Sequence, residues 1–216
     1  MEQKKIQNEY HLQLCEIIRK YCNDEETSKS CFASMKDASF DTDNGCYLYN
    51  NTPDMEILKL DQLSKVFNSK RGFGCPPSAV DSAFINYQNE WFLIEFKNSN
   101  FYRQSSENKD LSHKREDKSV GSSRKKMLSS LWLLFYIYSI SEQPLENITR
   151  FSREHVTYIA VYKRDKNLQI AMPIHQAEVM NKHFTPKEYA PYIGYYFKDA
   201  YVITEQELRS FIAKFE

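Results

Sequence analysis

Apolar side chains recur at helical spacing over residues 4–22, where Ile6, Tyr10, Leu14, Ile17, Ile18 and Tyr21 share one side of the projected helix. The pattern predicts an amphipathic helix. NDEETSKS at 23–30 is polar and predicts a loop, and residues 31–53 hold no single period. Residues 54–68 predict a second helix, with Ile57, Leu58, Leu60, Leu63, Val66 and Phe67 turned inward. RGFGCPPS, 71–78, is the strongest breaker in the chain. The period then changes. AVDSAFINY (79–87) and WFLIEFKN (91–98) are β-rich runs around a short polar turn, the signature of a hairpin. Residues 99–123 predict a long polar loop and 124–141 a buried helix. HVTYIAVYK (155–163) and LQIAMPI (168–174), joined by RDKN, predict a second hairpin; AYVIT (200–204) predicts a last strand leading into a closing helix, EQELRSFIAKF. This order predicts an α/β or α+β fold, a mixed central β-sheet flanked by helices.

Composition narrows the picture. A chain of 216 residues, 41% apolar, makes one domain with a sizeable core. Its 29 basic residues balance 29 acidic ones, so a polyanionic partner requires a local basic patch. The five cysteines, Cys15, Cys22, Cys31, Cys46 and Cys75, form no C-x-x-C pair, and no Cys–His spacing reads as a zinc site. With a polar start lacking a signal-peptide core, they predict free thiols in a reducing cytoplasm. The longest apolar run, residues 127–140, is short for a membrane span and holds three serines, so no membrane partner is expected.

The chemistry concentrates in WFLIEFKN. Strand side chains alternate faces, so Trp91, Leu93, Glu95 and Lys97 share one face and Phe92, Ile94 and Phe96 the other. Glu95 and Lys97 leave the sheet together at the strand end. A short turn after Tyr87 brings Asp81, near the start of the preceding strand, beside Glu95. Two adjacent carboxylates stay ionised when a cation lies between them, and hard oxygen ligands suit Mg²⁺ or Mn²⁺. A lysine two residues beyond the Glu can reach the attacking water or the scissile phosphate. The competing account is a strand end in solvent, where Glu95 and Lys97 form a surface pair of little energetic worth.

Asp81, a spacer of 13 residues, then Glu95-x-Lys97 on a hairpin followed by a helix resembles the PD-(D/E)XK nuclease superfamily. The resemblance spans about residues 54–163. It implies a restriction-endonuclease-like core, with an N-terminal helical segment over 1–53 and a C-terminal hairpin, strand and helix over 164–216. It implies Asp81 and Glu95 as metal ligands with the Phe96 carbonyl, Lys97 as the catalytic lysine, and a further acid from the first helix, with Glu56 and Glu16 as candidates. It also implies Mg²⁺ or Mn²⁺ as cofactor and nucleic acid as substrate, DNA ahead of RNA. Many such nucleases act as homodimers, although no dimer signal is present here. The pattern departs from the family where Val80, not Pro, precedes Asp81, and where no first core strand is evident before residue 79. Glu-x-Lys alone carries little information: it also occurs at Glu2–Lys4, Glu107–Lys109 and Glu116–Lys118, all in polar segments.

HKREDKSVGSSRKK, 113–126, holds six basic residues against two acids and enters the buried helix, with Ser122 and Ser123 as candidate caps. Such a segment suits phosphate contact, with Lys118, Lys125 and Lys126 as candidates. Other signals fail. DTDNG, 41–45, is out of register for a calcium loop, Gly72-x-Gly74 lacks a third glycine, and no G-x-S-x-G or H-x-x-x-H occurs. Two functions therefore stand: a metal-dependent nuclease, and a catalytically inactive binding, immunity or regulatory protein on a nuclease-like scaffold. Intact Asp81, Glu95 and Lys97 favour the first.

Overall fold

The computed structural model describes residues 9–41, 45–50, 55–97, 118–141, 147–166, 168–180 and 182–212. Its centre is a six-stranded mixed sheet: β1 (Phe32–Ser34), β4 (Glu56–Lys59), β5 (Ser82–Ile85), β6 (Trp91–Lys97), β7 (Val156–Tyr162) and β8 (Asp199–Thr204), in that spatial order. A separate two-stranded ribbon joins β2 (Phe40–Asp41) to β3 (Cys46–Tyr47). Pairing is antiparallel from β1 to β6 and parallel from β6 through β8. The mixed sheet flanked by helices is the architecture expected.

The faces of β6 divide as alternation requires. Trp91 and Leu93 join a core with Ala83, Ile85, Tyr158, Ala160 and Tyr162. That core lies under α1 (Glu9–Cys22), α4 (Leu60–Arg71) and α5 (Lys118–Ser139). Phe92 and Ile94 join Phe84, Ile159, Val161, Tyr201 and Ile203 on the other face, under α3 (Met35–Ala38) and α8 (Glu205–Ile212). Every residue of β7 is buried, as befits a central strand covered on both sides. Ile159, fully buried in that strand, should cost about 2–5 kcal/mol when cut to Ala; urea unfolding checks it, and a loss below 1 kcal/mol would mean that the inner layer is not packed as described.

Several elements differ from expectation, each for a tertiary reason. Residues 54–68 are not one helix: Glu56–Lys59 form β4 and the helix starts at Leu60. Ile57 and Leu58 point to opposite cores because successive strand residues face opposite sides of the sheet, and β4 lies inside it between β1 and β5. The polar 23–30 segment contains α2 (Glu25–Ser30), capped by Asp24, whose Oδ1 accepts from the Thr27 N–H at 2.7 Å. Residues 168–174 are not a strand. Both edges of β7 are taken by β6 and β8, so this stretch folds as α7 (Leu168–Val179) within the crossover that two parallel strands need. A further helix, α6 (Ile148–His155), precedes β7. The buried helix α5 starts six residues before 124, which puts Ser122 and Ser123 inside it and rules them out as caps. The predicted polar loop falls largely outside the described residues. Among the described residues no helix is long and apolar enough to cross a membrane.

Candidate active site

Gly72, at φ 67°, closes α4 in the left-handed region that favours glycine. The chain then returns toward β5. Ser64 Oγ donates to the Pro77 carbonyl, and the Val80 N–H donates to Ser130 Oγ of α5 at 2.8 Å. These bonds fasten the return segment to both helices. The Leu60 N–H donates to the Asp81 carbonyl at 3.1 Å, which seats Asp81 at the entry to β5.

Ser82 pairs with Ile94, so the same register puts Asp81 opposite Glu95. Directly opposed side chains on one face have Cβ atoms ~4.5–5.5 Å apart. Asp81 Oδ2 accepts from the Phe96 N–H at 2.6 Å. The Lys163 N–H donates to the Lys97 carbonyl, so Lys97 turns its backbone toward β7. Alternation turns the N–H and C=O of Phe96 the other way, to the Asp81 edge. The Phe96 carbonyl thus faces the same side of β6 as its N–H, toward Asp81.

Glu95 is only 1% exposed, which overturns the picture of a surface ion pair at a strand end. Its Oε1 takes the ammoniums of Lys97 and Lys126, each at 2.7 Å. Lys126, on α5, also stands 3.9 Å from Asp81 Oδ1. Glu95 Oε2 is buried and has no hydrogen-bond partner among the described residues. Tyr158 lies on the same face of β7, fully buried, with its ring edge-on to Tyr189. Burial first, then Tyr189 and Glu95, hold the Tyr158 phenol well above the usual tyrosine range.

Burial, and then the Glu95 charge, push the Asp81 carboxyl up to about 8, against the pull of Lys126, the Phe96 N–H and Lys97. Burial would lower the Lys126 ammonium; Glu95 and Asp81 outweigh it and hold it above the ordinary lysine value. Two carboxyl groups and two ammoniums thus share one partly closed site. The oxygens available to a cation are those of Asp81, the orphaned Glu95 Oε2 and the Phe96 carbonyl. This hard, all-oxygen set fits Mg²⁺ or Mn²⁺.

The remaining candidates separate. Lys126 reaches the site, whereas Lys125 is exposed. The Lys118 side chain lies outside the described residues. Glu56 stands opposite Ile85 by register, about 13 Å along the sheet from the residue facing Asp81. Glu16 lies on the exposed side of α1. Neither joins Asp81 and Glu95. The acid that does come near is Asp61, in the first turn of α4, whose charge acts on Lys126. Reading 54–68 as one helix hid it, because a mid-helix Asp carries no signal whereas an Asp just after a strand does. No family model matches the chain, and comparison with curated proteins and with solved structures likewise gives no match.

Proposed function

We propose that this protein is a metal-dependent phosphodiesterase, a nuclease acting on DNA ahead of RNA. The observation that carries the reading is the opposition of Asp81 and Glu95 across β5 and β6, with Lys97 and Lys126 on the same carboxylate. Asp81, Glu95 and the Phe96 carbonyl would hold Mg²⁺ or Mn²⁺, which supplies phosphate polarisation and a more acidic water. Lys97 would orient the attacking water and take part in its deprotonation. Lys126 would hold Glu95 in place and offset charge on the phosphate. The order of antiparallel β4, β5 and β6, then α5, then parallel β7 supports the reading of a restriction-endonuclease-like core, in which β4 would serve as the first core strand.

Charge distribution adds support. In a chain of zero net charge, α4 and α5 together carry seven basic residues and one acid, Asp61. Lys65, Lys70, Arg71 and Lys125 among them are exposed. Lys65 and Lys125 lie within about a turn of Asp61 and Lys126, whereas Lys70 and Arg71 sit at the far end of α4 against Tyr21 and Tyr136; basic residues of this kind suit contact with a phosphate backbone. The test is incubation with supercoiled plasmid, linear duplex, single-stranded DNA and RNA, in Mg²⁺, Mn²⁺ or EDTA. Metal-dependent cleavage supports the reading and names the substrate. Intact substrate in every arm, with no Mn²⁺-induced thermal shift, would instead point to the inactive binding scaffold.

A further inference from the structure

A second group of potential ligands lies at the other end of the sheet. His11 and Cys15 are one turn apart on α1 and therefore share a face. Glu56 opens β4 beneath them. One ligand atom from each of the three residues lies within 4.8 Å of the others. The spacing excluded earlier as a zinc signal becomes one when a residue 41 positions further on completes it.

Burial is graded across the trio. Cys15 is 1% exposed, His11 is half-buried and Glu56 is exposed at the rim. Glu56 also lines an open groove with Arg19, Asn23, Ser28 and Phe32, so its carboxylate meets solvent and is the ligand an arriving ion contacts first. Tetrahedral zinc needs ligand atoms ~3.3–3.6 Å apart, given bonds of about 2.0–2.3 Å. The three ligand atoms, within 4.8 Å of one another, lie close to that spacing, and Glu56 is the exposed member of the three. The donors are nitrogen, sulfur and oxygen. A thiolate disfavours Mg²⁺ and Ca²⁺, and the set of imidazole, thiolate and carboxylate suits Zn²⁺.

We propose that His11, Cys15 and Glu56 form a zinc site, separate from Asp81 and Glu95, that ties α1 to β4. Three protein ligands leave the fourth position for water. Because folding is what brings Glu56 to His11 and Cys15, zinc would bind the folded chain more tightly than the unfolded one and act as a staple between two elements far apart in sequence.

The probe is Co²⁺, followed by Zn²⁺, added to the full chain in saturating Mg²⁺ so that the Asp81–Glu95 end is already supplied. Cobalt should give a thiolate charge-transfer band in the near ultraviolet, displaced by one equivalent of Zn²⁺. Zn²⁺ at about a hundredfold excess over Kd should raise the melting temperature by about 5 °C. Glu56→Gln, at an exposed position, keeps the fold and should weaken binding at least tenfold; Cys15→Ser should abolish the band. Absence of the band, its survival in Cys15→Ser, or unchanged zinc affinity in both Glu56→Gln and His11→Gln would overturn the site. The cleavage assay is independent of each of these results.

Discussion

Lys97→Ala is expected to slow metal-dependent phosphodiester cleavage by about 10²–10⁴-fold, the range that a proton-handling side chain contributes. The fold should survive the change. Lys126 touches the same Glu95 oxygen at 2.7 Å, so the buried carboxylate keeps one ammonium when Lys97 is cut away. Lys126→Ala leaves Lys97 in place by the same argument. Removing both strands the Glu95 charge in a site 1% exposed and should cost about 3–5 kcal/mol, far more than the two single losses together. Initial cleavage rates and urea unfolding of the two single variants and the double variant separate the catalytic from the structural role. A Lys97→Ala protein that cleaves at the parental rate would remove this lysine from the mechanism. A double variant as stable as the parent would show that Glu95 does not depend on its lysines.

The second large effect is on stability against pH. Asp81 holds its proton up to about pH 8 in the folded chain, whereas an unfolded aspartate releases it near ~3.9. The folded state is thus the tighter proton binder. Stability from this group is fully present below about pH 4 and is lost as pH rises toward about 8. Asp81→Asn removes that dependence while its amide oxygen can still accept the Phe96 N–H. In EDTA, the variant should therefore melt higher than the parent at pH 8, with the gap closing by pH 4.5. Mn²⁺ should reverse the order at pH 8, because only the parent offers two carboxylates to the ion. Melting temperatures of both proteins across this range, with and without Mn²⁺, check the sign. A gap that widens on acidification would mean that Asp81 is held ionised rather than protonated.

Much of the candidate site was legible because it depends on local rules. Alternation along β6 assigned Glu95 and Lys97 to one face, and a short turn after Tyr87 implied the register that opposes Asp81 to Glu95. The depth of Glu95 was not legible. A Glu two residues from a strand end reads as exposed, and only α5 packed over that face makes it buried. Lys126 could be named as one of several cations, but selecting it over Lys125 requires the rotation of α5 about its axis. Glu56 could be named as an acid near a helix; its true neighbours, His11 and Cys15, follow from α1 lying over β4.

By itself the sequence determined the amphipathic first helix, the β5–β6 hairpin, the buried fifth helix and the shared face of Glu95 and Lys97. Each follows from spacing within a few residues, where side-chain period and backbone period must agree. Tertiary structure alone decided that residues 56–59 are a strand and 168–179 a helix. Ile57, Leu58 and the LQIAMPI run fit either conformation locally. Their choice depends on which sheet edges are open: β4 had partners on both sides, and β7 had none to spare.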